Sequence, residues 1–324
     1  ELRNTGQMET VVDRALTLAM TEPRGPVYLT LPREVLAENP GEFSYQSPSR
    51  MNTATNPAPD PNAIEQAASW LAAAENPMII AASYGRHIED VAALGDLADK
   101  HALPVICYRP RYNCLPTDHP MHMGFEPGGL IGNADVILVL EADVPWIPSL
   151  HKLHPGAKVI QIGIDPLYGN YPIRGFQCDL PITSDGGAAI RALATAMEGS
   201  EPKNTAAKDA RRKRIAEQHQ AAADGRGTVI AQSSTGGPMQ LPWVSHCLGQ
   251  VMGEDDILVN ESQIPAAFLG PRKPGTFFSG SPAAGLGWGT GASLGVKLAA
   301  RDRRVFAAIG DGAYMFGNPT PAHF

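Results

Sequence analysis

The middle of the chain alternates short apolar runs with longer segments of helical periodicity. The apolar runs lie at residues 77–82, 104–107, 134–140 and 158–166. They are short and rich in Val, Ile and Leu, which is typical of strands buried in a parallel sheet. Segments with apolar residues every three or four positions lie at residues 61–71, 88–101 and 187–197. This alternation predicts an α/β fold with a Rossmann-like parallel sheet flanked by helices.

The two ends of the chain show the same alternation. Near the N-terminus, residues 7–22 predict a helix and residues 27–31 predict a strand. Towards the C-terminus, residues 241–252 predict a helix and residues 256–260 a strand. A further apolar run at residues 305–309 predicts a strand that is buried on both faces of its sheet.

Changes in composition divide the chain into parts. Residues 37–61 are rich in Asn, Pro, Ser and Thr, which predicts a surface linker. The basic run at residues 208–214 predicts a solvated helix between domains, and the Gly- and Ser-rich residues 225–238 predict a flexible connector. We therefore expect the end of a first domain at residues 1–45, a central domain at 58–198, a connector at 199–238 and a last domain at 239–324.

Composition narrows the class of protein. The 324 residues are 43% hydrophobic and carry a formal net charge of -7, which argues against a nucleic-acid partner because such proteins present basic surfaces. The chain contains no run of about 18 apolar residues, so a transmembrane helix is not expected. The start of the chain does not resemble a signal peptide. Because the chain begins with Glu1 rather than Met, we expect it to be a piece of a longer protein.

The cysteines and loop histidines do not predict a metal site. The four cysteines are scattered and include no CxxC pair, so we expect reduced thiols in a cytoplasmic protein rather than a disulfide framework. Three histidines, His119, His122 and His154, lie near prolines without the spacing of metal ligands.

A stretch near the C-terminus, residues 281–317, carries the residues best suited to chemistry. It contains a ladder of alternating glycines, a predicted helix, the apolar run at 305–309, and then Gly310-Asp311-Gly312. Ligands of parallel sheets sit beyond the carboxyl ends of the strands, where Asp311 falls. Flanking glycines let the backbone approach a phosphate, and a carboxylate suits Mg²⁺. An Asp-Gly pair is also an ordinary turn, and that alternative stays open for these residues taken alone.

The segment Gly285-Leu286-Gly287-Trp288-Gly289, followed by a helix, a strand and Gly310-Asp311-Gly312, resembles the cofactor-binding domain of thiamine diphosphate enzymes of the acetolactate synthase-like family. The middle of the chain resembles the central domain of that family, because several short motifs occur in the same order. They are Asp118-His119-Pro120, Gly124, Asn133-Ala134-Asp135 and Ile164-Asp165-Pro166. The resemblance implies a thiamine diphosphate-binding fold plus a central domain, with residues 1–45 as the close of the pyrimidine-binding domain.

The resemblance also implies roles for individual residues. Leu286 takes the catalytic wedge position, where a bulky apolar side chain bends the cofactor; the alternative is that Leu286 packs a core turn. Asp311 takes the position of the Mg²⁺ ligand. For Ser262 and Gln263, an ordinary polar loop after a strand is the alternative. The residues implied to bind the cofactor are Ser262, Gln263, Ala284, Gly285, Leu286, Gly310, Asp311, Gly312 and Ala313.

The central domain binds FAD or a nucleotide in some members of the family. Those members often carry consecutive glycines after the first strand of this domain, where backbone amides meet phosphate. In this chain the corresponding turn, residues 83–87, has Gly85 as its single glycine. We therefore favour a structural central domain without FAD.

The function implied is that of a thiamine diphosphate- and Mg²⁺-dependent carboligase or decarboxylase that acts on a small 2-oxo acid. A lyase of the 2-hydroxyacyl-CoA lyase, oxalyl-CoA decarboxylase or benzaldehyde lyase type, with an acyl-CoA substrate in the first two cases, is an alternative. A non-catalytic nucleotide-binding or regulatory module is another. The family builds its site between subunits, so a homodimer or tetramer is implied. The family's activating Glu would precede Glu1 and its second metal motif would follow Phe324, so this chain alone is not expected to be a complete catalyst.

Overall fold

The computed structural model describes residues 1–42, 52–198, 205–262, 264–280 and 285–320. Contacts between α-carbons divide the chain into two compact units, Glu1–Ala58 and Pro59–Phe324. The predicted α/β fold with parallel sheets is confirmed in the second unit. The finer division into four parts stays a prediction.

The first unit contains the predicted helix but not the predicted strand. Helix α1 covers Met8–Met20, and a short helix, α2, covers Arg33–Leu36. Residues 27–31 are extended, with Tyr28 92% exposed, but no strand lies beside them among the described residues of this unit. The one ladder-like contact is the Leu2 amide, which donates to the Thr30 carbonyl at 2.9 Å. The strand prediction was wrong because β-branched and aromatic residues form a strand only where a neighbour pairs with them.

The second unit begins with a five-stranded parallel sheet. Its strands are β1 (Pro77–Ala81), β2 (Val105–Cys107), β3 (Val136–Leu140), β4 (Lys158–Gly163) and β5 (Leu180–Thr183), in the order β2-β1-β3-β4-β5. Four of them confirm predicted strands. Strand β5 was not predicted, since it is short and contains Pro181; this residue is tolerated because the strand lies at the edge of the sheet.

Helices cover one face of this sheet and loops cover the other. Helices α3 (Pro61–Ala73), α4 (Ile88–His101) and α5 (Gly186–Glu198) confirm the predicted helices. They share a core with strand residues such as Ile79 and Leu138. The alternate strand residues, including Ile80 and Ile137, pack on loop residues such as Trp146. The strands are therefore buried on both faces, as their continuous apolar sequences predict.

A single long helix, α6 (Thr205–Ser233), follows, so the prediction of a flexible connector from residue 225 was wrong for most of that segment. The prediction of a solvated helix was also wrong at Arg211, which is buried. The Arg211 guanidinium donates to the carbonyls of His101, Ala102 and Ala74 at 2.9 to 3.1 Å. These carbonyls end α3 and α4, where the helix dipole favours a cation.

The last part of the chain forms a three-stranded parallel sheet in the order β7-β6-β8. Its elements are α7 (Leu241–Val251), β6 (Ile257–Asn260), β7 (Phe277–Ser279), α8 (Trp288–Ala299), β8 (Val305–Ala308) and α9 (Asp311–Phe316). Strand β7 was not predicted.

Strand β8 is not buried on both faces, and that prediction was wrong. Its residues are half-buried except for Ala307, which is exposed. Among the described strands, β8 pairs only with β6, so it lies at the edge of the sheet. The fully buried strand is β6, which has a neighbour on each side.

The two sheets are joined by hydrogen bonds between their loops. The Ser279 amide at the end of β7 donates to the Arg111 carbonyl at 3.0 Å. The Asn113 side chain donates to the Lys273 carbonyl at 3.0 Å, and the Arg272 amide donates to the Thr117 hydroxyl at 3.1 Å. These contacts hold the second sheet against the loop that follows β2.

Candidate functional site

The carboxyl ends of β6 and β8 lie side by side and form the edge at which the predicted site residues meet. The amides of Glu261 and Ser262 both donate to the Ala308 carbonyl, at 2.8 and 3.0 Å. The loop after β6 therefore sits on the last residue of β8, just ahead of Gly310. Two stretches that are almost 50 residues apart in the chain meet at one edge of the sheet, as ligand sites in parallel sheets require.

The Asn260 side chain closes the loop after β6. Its Nδ2 donates to the Ile264 carbonyl at 2.9 Å, and its Oδ1 accepts from the Ile264 amide at 3.0 Å. Asn260 is buried, so both bonds are shielded from water and bring the two ends of the loop together. Ser262 lies inside this closed loop, whereas Gln263 lies outside the described residues.

Asp311 stands exposed at the carboxyl end of β8, where Gly310 leads into α9. Its Oδ1 accepts from the Gly312 amide at 2.9 Å. In the described part of the chain no Lys, Arg or His pairs with this carboxylate. A Cβ added at Gly310 or Gly312 would meet no atom within 4 Å, whereas Ala313 is buried. Among the described residues, Asp311 is therefore a carboxylate without a positively charged partner, and it lies between two glycines that face open space.

The Leu286 turn contacts the end of α9. Gly287 has a φ of +93°, and a Cβ added there would lie 2.8 Å from the Gly317 amide nitrogen. A glycine is required at this position both for its backbone conformation and for the close contact. The Leu286 side chain is 62% exposed, so it does not pack a core turn within the described chain. Gly285 is also exposed, and Ala284 lies outside the described residues.

Glu261 was assigned no role from the sequence, yet it holds the Leu286 turn. One carboxylate oxygen accepts from the amides of Gly287 and Trp288 at 2.6 and 3.2 Å, and the other accepts from the Gly289 amide at 2.7 Å. These amides begin α8 and have no partner within the helix. An acidic residue directly after β6 is visible in the sequence, but its partners lie 26 to 28 residues further along the chain.

The turn after β1 packs against the loop that follows β2. Gly85 is its single glycine, and a Cβ added there would lie 2.1 Å from the Asn113 carbonyl oxygen. The Arg111 amide also donates to the Ala82 carbonyl at 2.9 Å. The loop after β2 therefore occupies the space directly beside this glycine.

The three loop histidines each serve their own turn. The Nδ1 atoms of His119, His122 and His154 accept from the backbone amide two residues further on, at 3.1 to 3.2 Å. Burial lowers the pKa of His119, which favours its neutral form. No cluster of three His, Cys, Asp or Glu side chains suited to a metal occurs within the described ranges. The four cysteines are free.

Comparisons with known proteins agree with this arrangement. The family model for the central domain of thiamine pyrophosphate enzymes matches residues 64–193, and the model for their C-terminal TPP binding domain matches residues 261–322. Together the two matches cover more than half of the chain.

Curated relatives align over nearly the whole chain. Benzoylformate decarboxylase of Pseudomonas aeruginosa is 27% identical over 330 residues, covering 94% of this chain and 56% of the relative. The acetolactate synthase large subunit of Corynebacterium glutamicum is 25% identical over 335 residues, covering 97% of this chain and 51% of the relative. The chain thus spans about half the length of the curated relatives it matches.

A solved structure shares the fold. The crystal structure of benzoylformate decarboxylase from Polynucleobacter necessarius superposes with a TM-score of 0.69 at 21% identity, covering 97% of this chain and 57% of that protein. Since the matched domain models cover the five-stranded sheet, strands β7 and β8 and the candidate edge, the chain belongs to the thiamine pyrophosphate enzymes and carries their central domain together with residues of their TPP-binding domain.

Proposed function

We propose that the protein, at full length, is a thiamine diphosphate- and Mg²⁺-dependent carboligase or decarboxylase that acts on a small 2-oxo acid. The observation that carries this proposal is the meeting of three features at one sheet edge. These are the Ser262 loop, the exposed Asp311 carboxylate and the exposed Leu286 turn. An exposed leucine between two glycines has no packing role among the described residues, but it suits a wedge against a ligand.

The residues present fit the cofactor. Asp311 would hold Mg²⁺, since Mg²⁺ beside phosphate groups is usually bound by one or two carboxylates. The open space beside Gly310 and Gly312 leaves room for a diphosphate group against the backbone. Ser262, Gln263 and Ala313 would lie along the same group, as the resemblance implies.

Thiamine diphosphate supplies the electron sink for making or breaking a carbon–carbon bond when it is bound. This chain supplies the binding and the positioning. Leu286 and its neighbours Ala284 and Gly285 would contact the rings of the cofactor, as the resemblance implies. Gly287 contacts Gly317 at the end of α9, so the turn that carries Leu286 lies against the helix that begins with Asp311.

The relatives support a 2-oxo acid as substrate. One of them is named for the decarboxylation of benzoylformate, a 2-oxo acid, and another for the synthesis of acetolactate. Purified full-length protein assayed with pyruvate, benzoylformate, oxalyl-CoA and a 2-hydroxyacyl-CoA would separate this substrate class from the CoA-dependent lyases. Cofactor binding without turnover on any of them would favour a regulatory module.

We also propose a cytoplasmic homodimer or tetramer. Helix α8 and its surroundings expose apolar side chains, among them Leu294 (44%), Leu298 (67%), Met315 (70%) and Phe316 (73%). A group of exposed apolar residues of this kind is typical of a surface that is covered in the assembled protein. None of the described helices combines the length and the apolar character needed to cross a membrane. Sedimentation of the full-length protein would give the oligomeric state.

Titration calorimetry of the full-length protein with thiamine diphosphate, with and without Mg²⁺, tests the function. We expect binding that requires Mg²⁺ and is lost in Asp311→Ala, since this carboxylate would carry the metal. Asp302→Ala is the matched control, because Asp302 is exposed in the turn before β8 and has no part in the site. Unchanged affinity in Asp311→Ala would refute the assignment.

A further inference from the structure

Glu261 joins two strands of the last sheet, β6 and β8, to helix α8. Its amide is bound to the Ala308 carbonyl at the end of β8, and it follows directly on the last residue of β6. Its carboxylate accepts from three successive amides, those of Gly287, Trp288 and Gly289. A single side chain therefore ties the ends of β6 and β8 to the start of α8.

The carboxylate is suited to this place by charge and by shape. The first amides of a helix are unsatisfied and carry the positive end of its dipole, so an anion is favoured there. Hydrogen bonds to an ionised acceptor are roughly twice as strong as those between neutral groups. Gly289 makes the contact sterically feasible, because a Cβ at this position would lie 2.7 Å from one carboxylate oxygen.

These bonds act directly on Leu286. The Gly287 amide belongs to the same peptide plane as the Leu286 carbonyl, and its 2.6 Å bond to Glu261 fixes that plane. The Leu286 side chain, in contrast, is 62% exposed and is not fixed by packing among the described residues. The backbone of the wedge position is thus held rigidly while its side chain remains open to a ligand.

We propose that Glu261 is a positioning residue that sets the backbone of Leu286 for contact with the thiamine diphosphate rings. This inference rests on the proposed function. It also means that the N-terminus of α8 is already occupied by a carboxylate of this chain, so these amides would not be available to the diphosphate.

The test uses the full-length protein and three kinds of measurement. Glu261→Gln keeps the size of the side chain but turns an NH₂ group towards amides that need an acceptor. Hydrogen exchange at residues 287–289 should speed up about tenfold or more, given the strength of charge-assisted bonds. Thiamine diphosphate affinity should fall by a similar factor, and kcat should fall even at saturating cofactor, since a misplaced wedge impairs the bound cofactor as well. Glu261→Asp, which keeps the charge, should recover part of both.

A second pair of variants leaves Glu261 in place. Gly289→Ala would push the carboxylate off the amides without removing it, and alanine is favoured within a helix. Gly291→Ala is its control, because a Cβ there meets no atom within 4 Å. We expect Gly289→Ala to reproduce the loss in affinity and kcat, and Gly291→Ala to behave as wild type. Glu254→Gln, at an exposed ion pair with Lys273, controls for loss of an acidic charge.

The outcomes are distinct. If exchange at residues 287–289 rises in Glu261→Gln while affinity and saturated kcat stay at wild-type values, Glu261 only caps α8 and the proposal is overturned. If hydrogen exchange at residues 287–289 is unchanged in Glu261→Gln, the Glu261 carboxylate does not hold these amides and the proposal is overturned. If wild-type protein fails to bind thiamine diphosphate at all, the proposed function falls and this role falls with it.

Discussion

Gly287 and Gly317 touch backbone to backbone, and this contact joins the turn that carries Leu286 to the helix that begins with Asp311. A side chain at Gly287 would collide with the Gly317 amide and would also strain a φ of +93°. The two halves of the candidate site can therefore lie this close only because both residues are glycines. The same contact gives the first prediction.

Gly287→Ala should lower the free energy of unfolding by about 2 kcal/mol, since a left-handed conformation alone costs roughly 1–2 kcal/mol in a non-glycine residue. It should also weaken thiamine diphosphate binding, because the turn must move away from α9. Urea denaturation and calorimetry would measure the two effects. Gly295→Ala, in open space on α8, should be neutral or stabilising; equal behaviour of the two variants would contradict the argument.

Asn260→Leu should open the loop that contains Ser262. The substitution keeps the volume but leaves the buried amide and carbonyl of Ile264 without partners, at a cost of about 1–3 kcal/mol for each group. We expect lower stability in urea and faster hydrogen exchange at Ile264. Exchange there at the wild-type rate would show that the loop does not depend on this side chain.

Arg211→Met should destabilise the central domain. The variant retains an apolar stem but leaves the terminal carbonyls of α3 and α4 unpaired, and we expect a loss of about 3 kcal/mol in urea denaturation. Lys213→Met, two positions away on the exposed side of α6, should change stability by less than about 0.5 kcal/mol. Similar losses in both variants would point to the charge of α6 rather than to these bonds.

Asp256 should make stability depend on pH at acidic values. Hydrogen bonds from Arg304 hold the pKa of Asp256 below its usual range, and the Gly253 amide adds to the effect. Because the folded-state pKa is the lower one, the stabilisation is complete above the unfolded pKa, near about 4. It is lost as the pH falls through the folded pKa.

The difference in unfolding free energy between wild type and Asp256→Asn, measured in urea from pH 7 to pH 2, would follow this contribution. We expect a constant difference at neutral pH that shrinks below about pH 4. A difference that does not change with pH would mean that the ion pair contributes nothing through ionisation.

Local sequence patterns were enough to predict the repeating elements of the second unit and the residues that carry the family resemblance. The strands β1, β3 and β4 follow from short continuous apolar runs, and the helices α3, α4 and α5 from a 3.6-residue periodicity; both are local properties of the chain. The motif at Gly310-Asp311-Gly312 is likewise contiguous, so its place after a strand could be read directly.

Features that depend on partners far away in the chain could not be predicted from the sequence. The short strand β7 forms by pairing with β6, and its three residues alone are too few to predict a strand. Strand β8 has an apolar sequence but lies at an edge, because the number of its neighbours is a property of the sheet. Arg211 is buried because two helix ends far back in the chain accept its hydrogen bonds. Glu261 reads as an ordinary loop acid until the fold brings the start of α8 onto its carboxylate, since a bond across more than 25 residues leaves no periodic trace in the sequence.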